Sequence, residues 1–239
     1  MISAENPTMV FGKRRFQNGK IVSFILVPNV GHILMTYCPK ERRKQKIMDF
    51  EKLKQEAFET AKAHGWHDEE LPDETYLMLI ITEIAEAVQA DRKDRHADVA
   101  RFKECMTAIE RTGDDWFMTA FAEHIDGTVE CELADTVIRI LDFSEVKGFG
   151  FDSVNTRARR AYKWYRGNGW DIGYTFPMFC YALISNIYDW RKPLEGDLSL
   201  VLERLLVYCK LNSIDIDFFV EQKMKYNKLR SYRHGHKKY

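Results

Sequence analysis

Two pairs of carboxylates have the spacing that metal-dependent chemistry uses. Glu83 and Glu86 are three residues apart, and so are Glu132 and Asp135. Residues three apart on a helix lie on neighbouring turns and point the same way. Four carboxylates without a histidine form an all-oxygen ligand set, which suits Mg²⁺, or alternatively Mn²⁺, better than zinc. Protein-bound Mg²⁺ keeps several waters and typically recruits substrate phosphates, which indicates chemistry at a phosphoanhydride.

The first pair lies on a helix expected from about residue 74 to residue 90. On a helical wheel the apolar residues of this segment form one broad arc, with Glu83 inside the arc and Glu86 at its edge. Burying an ionised carboxylate without a partner is costly. We therefore expect Glu83 to be compensated by a proton, a basic side chain or a metal.

The second pair lies on a helix expected from Val129 to about residue 145. Glu132 and Asp135 share a narrow polar strip with Arg139 and Asp142, which alone is typical of a solvent-facing edge. If the two helices pack antiparallel, the four carboxylates meet, and each close pair repels by roughly 3 to 4 kcal/mol at an effective dielectric near 20. A hard divalent cation would relieve this repulsion. A lysine or arginine that fills the gap between the two pairs would contradict the enzyme interpretation and leave a helical scaffold of unassigned function.

Further candidate residues follow from the basic C-terminal segment and from the end of the first helix. Seven Lys or Arg and no acidic residue occur between Lys223 and the C-terminus. Such a run is often a solvated tail, but on a helix starting near Phe218 it could also contact a triphosphate. Near the first helix end, Trp66 and His67 could contact a base, although Trp is often plain core. The predicted substrate-binding residues are Trp66, His67, Lys225, Asn227, Lys228, Arg230, Tyr232, Arg233 and His234.

Composition narrows the class of protein. The 239 residues are 45% hydrophobic and 13% aromatic, enough to bury a core in one large domain or two small ones. Acidic and basic residues balance at 36 each, so no global field would recruit nucleic acid. We expect no membrane segment, because no apolar run approaches roughly 18 residues. The five scattered cysteines contain no CxxC pair, and no secretory leader is evident, which favours a cytoplasmic protein.

The predicted fold class is all-α, with a small N-terminal appendage. Residues 1–47 are β-leaning and read as a hairpin of Ile21–Val27 with His32–Tyr37. Apolar residues at three- and four-residue steps then predict a helical unit over 48–166 that carries the metal site. Within it, the charged segment of about 92–128 is interpreted as an insertion. Residues 167–239 form a second helical unit ending in the basic tail.

The second helical unit resembles a degraded copy of the first. Residues 81–93 parallel 181–192, and 132–152 parallel 197–217, in apolar spacing and in their closing aspartates. The carboxylates are largely replaced in the copy, by Ala182 and Ser185 for the first pair and by Asp197 and Leu200 for the second. Two unrelated amphipathic helix pairs can also align in this way. We expect an internal pseudo-duplication that keeps the scaffold and has lost the ligands.

The carboxylate pairs and the C-terminal sequence resemble the MazG-like all-α nucleotide pyrophosphohydrolases, which are related to dimeric dUTPases and dCTP pyrophosphatases. The family's Glu-x-x-Glu followed by Glu-x-x-Asp is similar to residues 83–86 and 132–135, and YNKLRSYRHGHKK at 226–238 is similar to the tail of many MazG-like proteins. The resemblance covers most of residues 48–152 and the last twenty. Thr82 stands where many members have a further acidic residue, so the general base stays open.

The resemblance implies a MazG-like helical bundle that hydrolyses a nucleoside triphosphate between its α and β phosphates. The products would be the monophosphate and pyrophosphate, with Mg²⁺ bound by the four carboxylates. It also implies that a second copy normally completes the helical core. In this chain a homo-oligomer or an intrachain pseudo-dimer would fill that role.

Two other functions stay open at this point. A non-catalytic nucleotide-binding or regulatory protein would bind the nucleotide without turnover, and Thr82 favours it. An interaction protein would use the basic run at 40–46 and the basic tail on nucleic acid, which salt-sensitive binding would reveal. The sequence names neither base nor sugar.

Overall fold

The protein divides into two compact units, Met1–Gln45 and Lys46–Tyr239. The structure, a computed structural model, describes residues 10–15, 21–26, 48–107, 113–167, 175–187 and 194–233. In the first unit, strands β1 (Val10–Arg15) and β2 (Ile21–Leu26) pair antiparallel, with Val10 opposite Leu26. The expected strand at 21–27 thus falls on β2, and its partner is β1. The strand predicted at 32–37 lies outside the described residues.

The described part of the second unit is helical, as the sequence predicts. No helix in the described ranges has both the length and the apolar character needed to cross a bilayer. Helices on both sides of residue 167, the expected boundary, belong to this one compact unit. The helices are α1 (Phe50–Ala63), α2 (Asp73–Arg92), α3 (Val99–Thr107), α4 (Asp114–His124), α5 (Val129–Lys147), α6 (Val154–Gly167), α7 (Phe176–Ile187), α8 (Leu194–Leu211) and α9 (Ile216–Leu229).

Helix α5 is the central element of this unit. It is apolar around most of its circumference, as expected of a helix surrounded by other helices. Its neighbours are α1, α2, α8 and α9. Thr128 caps its N-terminus by accepting a hydrogen bond from the Cys131 amide, and Gly148 ends it in the left-handed conformation with φ of 69°. These two signals fix where α5 begins and ends.

Helices α3 and α4 form a pair that belongs to the core and supports α9. They lie in the segment 92–128 that the sequence analysis interprets as an insertion. The ring of Phe102 packs edge-on against Phe117, and the ring of Phe121 stacks on Tyr226 of α9 at a centroid distance of 4.4 Å. All three phenylalanines are buried. Packing of this pair therefore sets the position of α9.

Helices α7 and α8 pack against each other, as α2 and α5 do. They overlap the segments aligned with α2 and α5, over residues 181–187 and 197–211. Helix α7 also contacts α2, and α8 contacts α5 and α6. The residues aligned with the first acid pair, Ala182 and Ser185, both lie on α7.

Candidate metal and nucleotide site

Helices α2 and α5 bring three of the four predicted carboxylates together. Single oxygens of Glu83, Glu132 and Asp135 all lie within 4.8 Å of one another. Glu83 and Glu132 are buried, with 8% and 6% of their surface exposed, whereas Glu86 is exposed at the edge of the same cavity. This arrangement follows from the i, i+3 spacing on two packed helices. It concentrates negative charge where water is largely excluded.

Arg139 partly compensates Glu83. Its Nε donates a hydrogen bond to Glu83 Oε1 at 3.0 Å. Arg139 lies on the polar strip of α5, one turn beyond Asp135. The sequence leaves a proton, a basic side chain or a metal as the partner of Glu83, and the structure shows a basic side chain, Arg139.

Lys223 of α9 is a second basic side chain at the cluster, and it is not among the residues predicted from the sequence. Its buried ammonium lies 2.9 Å from Asp135 Oδ2 and donates to Asp126 Oδ1 at 2.9 Å. Burial opposes its charged form, but the neighbouring charges, Asp135 foremost, outweigh burial and raise the pKa of Lys223 well above its ordinary value. Lys223 is therefore a fixed positive charge at the site.

The two basic side chains leave the cluster undercompensated. Glu132 has no ion pair among the described residues, and burial followed by the charge of Asp135 raises its pKa to about 8. Burial and Asp135 also raise the pKa of Glu83 above its ordinary value, although Arg139 acts in the opposite direction. Six carboxylates and three basic side chains line the cavity, so full ionisation leaves a formal charge of −3. Protons or a divalent cation would reduce that charge.

These groups line a cavity of about 300 Å³ between α1, α2, α5 and α9. Acidic groups come from α2, from α5 and from Asp126 just before α5, whereas α9 contributes Lys223, Asn227 and Arg230. Trp66, which follows α1, also lines the cavity. Asn227 Oδ1 is buried and has no hydrogen-bond partner among the described residues. An acidic wall thus faces a wall with cations and an unused hydrogen-bond acceptor.

Four predicted substrate-binding residues make their contacts outside the cavity. Lys225 Nζ lies 4.0 Å from the centroid of the Phe117 ring, and Lys228 is 3.9 Å from Glu56. Tyr232 donates to Asp68, and Arg233 Nη2 lies 3.8 Å from the same carboxylate. None of the four lines the cavity.

The remaining two predicted residues are His67 and His234. His67 Nε2 donates to Asp142 Oδ1 at 2.8 Å, and the Tyr76 hydroxyl lies 3.4 Å from its Nδ1. His67 lines a smaller neighbouring cavity, which shares Trp66, Leu79, Arg139 and Asp142 with the site. His234 lies outside the described residues.

One face of α9 enters the cavity. Lys223, Asn227 and Arg230 are spaced i, i+4 and i+7, so they form one row. Lys225 and Lys228 fall on other faces. Charge alone does not distinguish these faces, and only the packing of α9 shows that the row with Lys223 is the one that lines the cavity.

His64 ties the end of α9 to the end of α1. Its buried ring contacts two backbone oxygens, with Nδ1 2.8 Å from that of Thr60 and Nε2 2.9 Å from that of Arg230. Its own carbonyl oxygen accepts a hydrogen bond from the Arg233 amide at 3.0 Å. These contacts hold Arg230 at the rim of the cavity.

Comparisons of the chain with protein-family models, with curated proteins and with solved structures find no match.

Proposed function

We propose that this protein is a Mg²⁺-dependent nucleoside triphosphate pyrophosphohydrolase, which releases pyrophosphate and a nucleoside monophosphate. The observation that carries the proposal is the undercompensated cluster of Glu83, Glu132 and Asp135 at one wall of a cavity with a cationic opposite wall. The resemblance of the acid pairs and C-terminal sequence to MazG-like enzymes supports the same activity. In this proposal α7 and α8 form the degenerate second unit of a pseudo-dimer.

The donor set fits magnesium. All candidate ligand atoms are carboxylate oxygens, which hard cations prefer, and Mn²⁺ is a suitable replacement. Glu83, Glu132 and Asp135 would hold the ion, whose charge would offset part of the negative charge around the cavity. When bound, the ion would neutralise developing charge on the phosphates and lower the pKa of a coordinated water.

Glu86 is the carboxylate that we assign to proton transfer. It lies one helical turn from Glu83, is exposed in the cavity, and has no ion pair or side-chain hydrogen bond among the described residues. A carboxylate in this position can accept a proton from the attacking water. Glu86 would therefore act as the general base, a role that Thr82 leaves without a residue in the sequence.

The α9 wall and Trp66 would hold the nucleotide. Lys223 and Arg230 place positive charge opposite the acidic cluster, where phosphate oxygens need donors. Asn227 Oδ1 can accept a hydrogen bond from an N–H or O–H group of the substrate. Trp66 offers an aromatic face at the same cavity.

The test is a product assay over the common ribonucleoside and deoxynucleoside triphosphates. We expect pyrophosphate and a monophosphate with at least one substrate, only when Mg²⁺ or Mn²⁺ is present. Glu83→Gln should lose both turnover and Mg²⁺ affinity, whereas Glu86→Gln should lose turnover and keep Mg²⁺ affinity. The exposed Glu74→Gln on the same helix is the matched control and should behave like the native protein. Absence of pyrophosphate, or full activity of Glu83→Gln, would contradict the proposal.

One observation favours a second function, that of a non-catalytic nucleotide-binding protein. Arg139 and Lys223 already pair with Glu83 and Asp135, which reduces the need for a metal. Such a protein would bind nucleotides equally with and without Mg²⁺ and would release no product. Equilibrium binding in EDTA and in Mg²⁺ separates the two functions.

A further inference from the structure

Helix α6 carries a uniformly basic outer face. Its sequence, VNTRARRAYKWYRG, has five basic residues and no acidic one. The chain as a whole has no net charge, so this helix departs from its surroundings. Helices α1, α8 and α9, in contrast, mix acidic and basic residues.

Most of these charges lie on one exposed arc. At 100° per residue, Arg166, Arg159, Lys163, Arg160 and Trp164 follow one another over about 160° of the helix circumference. All five are exposed, and Trp164 exposes 57% of its surface. Val154 and Ala158, on the opposite side, are buried. We call these five residues the α6 basic face.

The α6 basic face is not neutralised within the described part of the chain. Arg157, at its border, pairs with Glu203 of α8 and helps to anchor the helix. The four cations of the face have no ion pair with a described acidic side chain. Like charges three or four residues apart on a helix repel one another and destabilise it. The helix therefore carries a stability cost that a bound anion would remove.

The combination of charges and an aromatic ring specifies the kind of anion. Arg159, Lys163 and Arg166 form a row along the helix, which suits successive phosphates of a chain. Trp164 lies at the far edge of the same arc, beyond Arg160, and offers a ring on which a base can stack. Bases are available for stacking in single strands and are hidden in duplexes. We infer that the α6 basic face binds single-stranded nucleic acid.

This surface is separate from the proposed nucleotide site. No residue of α6 lines the cavity, and α6 packs against α8. Loss of nucleic-acid binding and loss of pyrophosphohydrolase activity are therefore distinguishable outcomes. The single-strand proposal does not depend on turnover, so it can be tested with nucleotide-free protein in EDTA.

The experiment measures fluorescence anisotropy of a labelled 20-nucleotide poly(dT) or poly(U) strand with the full chain. Affinity should fall with salt, with a log–log slope that the combined Arg159→Gln, Arg160→Gln and Lys163→Gln substitutions reduce by about 2. Trp164→Ala should weaken binding roughly 5- to 100-fold through lost stacking.

The matched control carries Lys62→Gln, Arg92→Gln and Lys93→Gln, which remove the same charge from exposed positions elsewhere. It should bind like the native protein. Equal loss in the control, no binding at 50 mM salt, or tighter binding to a 20-base-pair duplex would overturn the proposal. Binding to phosphatidylserine vesicles through the same residues, without oligonucleotide binding, would overturn it and assign the face to a lipid surface.

Discussion

Replacing Glu132 with Gln should remove most of a pH-dependent loss of stability from the metal-free protein. The pKa of Glu132 is raised to about 8 in the folded protein from an ordinary value of 4.5. Between these values the folded state holds a proton that the unfolded state has released, so stability is full below about pH 4.5 and falls as pH rises to about 8. A pKa difference of 3.5 at 1.36 kcal/mol per unit gives an upper limit of about 5 kcal/mol.

The assay is thermal or urea unfolding in EDTA at pH 6 and pH 8.5, repeated with millimolar Mg²⁺. Between pH 6 and pH 8.5 the expected loss from Glu132 is about 2.5 kcal/mol, which corresponds to roughly 5 to 10 °C in Tm for a chain of this size. We expect the native protein to lose stability at pH 8.5 and Mg²⁺ to restore it. Glu132→Gln should show a much flatter pH dependence and little response to Mg²⁺.

The exposed carboxylate Glu74 provides the control, because Glu74→Gln removes the same charge from α2 outside the cavity. It should retain both the pH dependence and the Mg²⁺ effect. Equal stability of the native protein at the two pH values would refute the reasoning about buried, undercompensated charge.

Three further substitutions test the packing around the site. Lys223→Gln leaves Asp135 without its buried partner and should lower the free energy of unfolding by about 3 to 5 kcal/mol, measured in urea with EDTA. Part of this loss should be recovered in Mg²⁺. An unchanged urea midpoint would contradict the buried ion pair. Phe121→Ala empties a fully buried position under α9 and should cost about 3 to 5 kcal/mol, whereas the exposed Thr119→Ala should cost under 1. Gly65→Ala should lower the stability in thermal unfolding by more than about 1 kcal/mol, because φ at this position is 79° and the alanine Cβ would meet the ring of Tyr232. A variant as stable as the native protein would exclude that close contact.

The acid cluster could be predicted because it depends on local periodicity. Apolar spacing fixes α2 and α5 to within a few residues of their expected ends, and the i, i+3 spacing then fixes the direction of each carboxylate. Burial of Glu83 followed from its place inside an apolar arc. Arg139, which pairs with Glu83, lies on the polar strip of α5 that the sequence predicts. Which group compensates Glu83, whether a proton, a base or a metal, depends on how the helices pack.

Lys223 could not be chosen in the same way, because its role depends on contacts between distant segments. Its ammonium reaches Asp126 and Asp135 only when α9 packs across α5. That position is set by rings of the segment at 92–128, which looks like a polar insertion in sequence. Charge density along α9 gave no guide to which face would be buried.

The most direct test of the metal site is binding of Mn²⁺ followed by electron paramagnetic resonance. The native protein should bind one ion per chain at this site, and an excess of Mg²⁺ should displace it. Glu132→Gln should lose that ion, whereas Glu74→Gln should keep it. Native protein that leaves millimolar Mn²⁺ free in solution, or Glu132→Gln that binds Mn²⁺ as tightly as the native chain, would contradict a cation held by Glu83, Glu132 and Asp135.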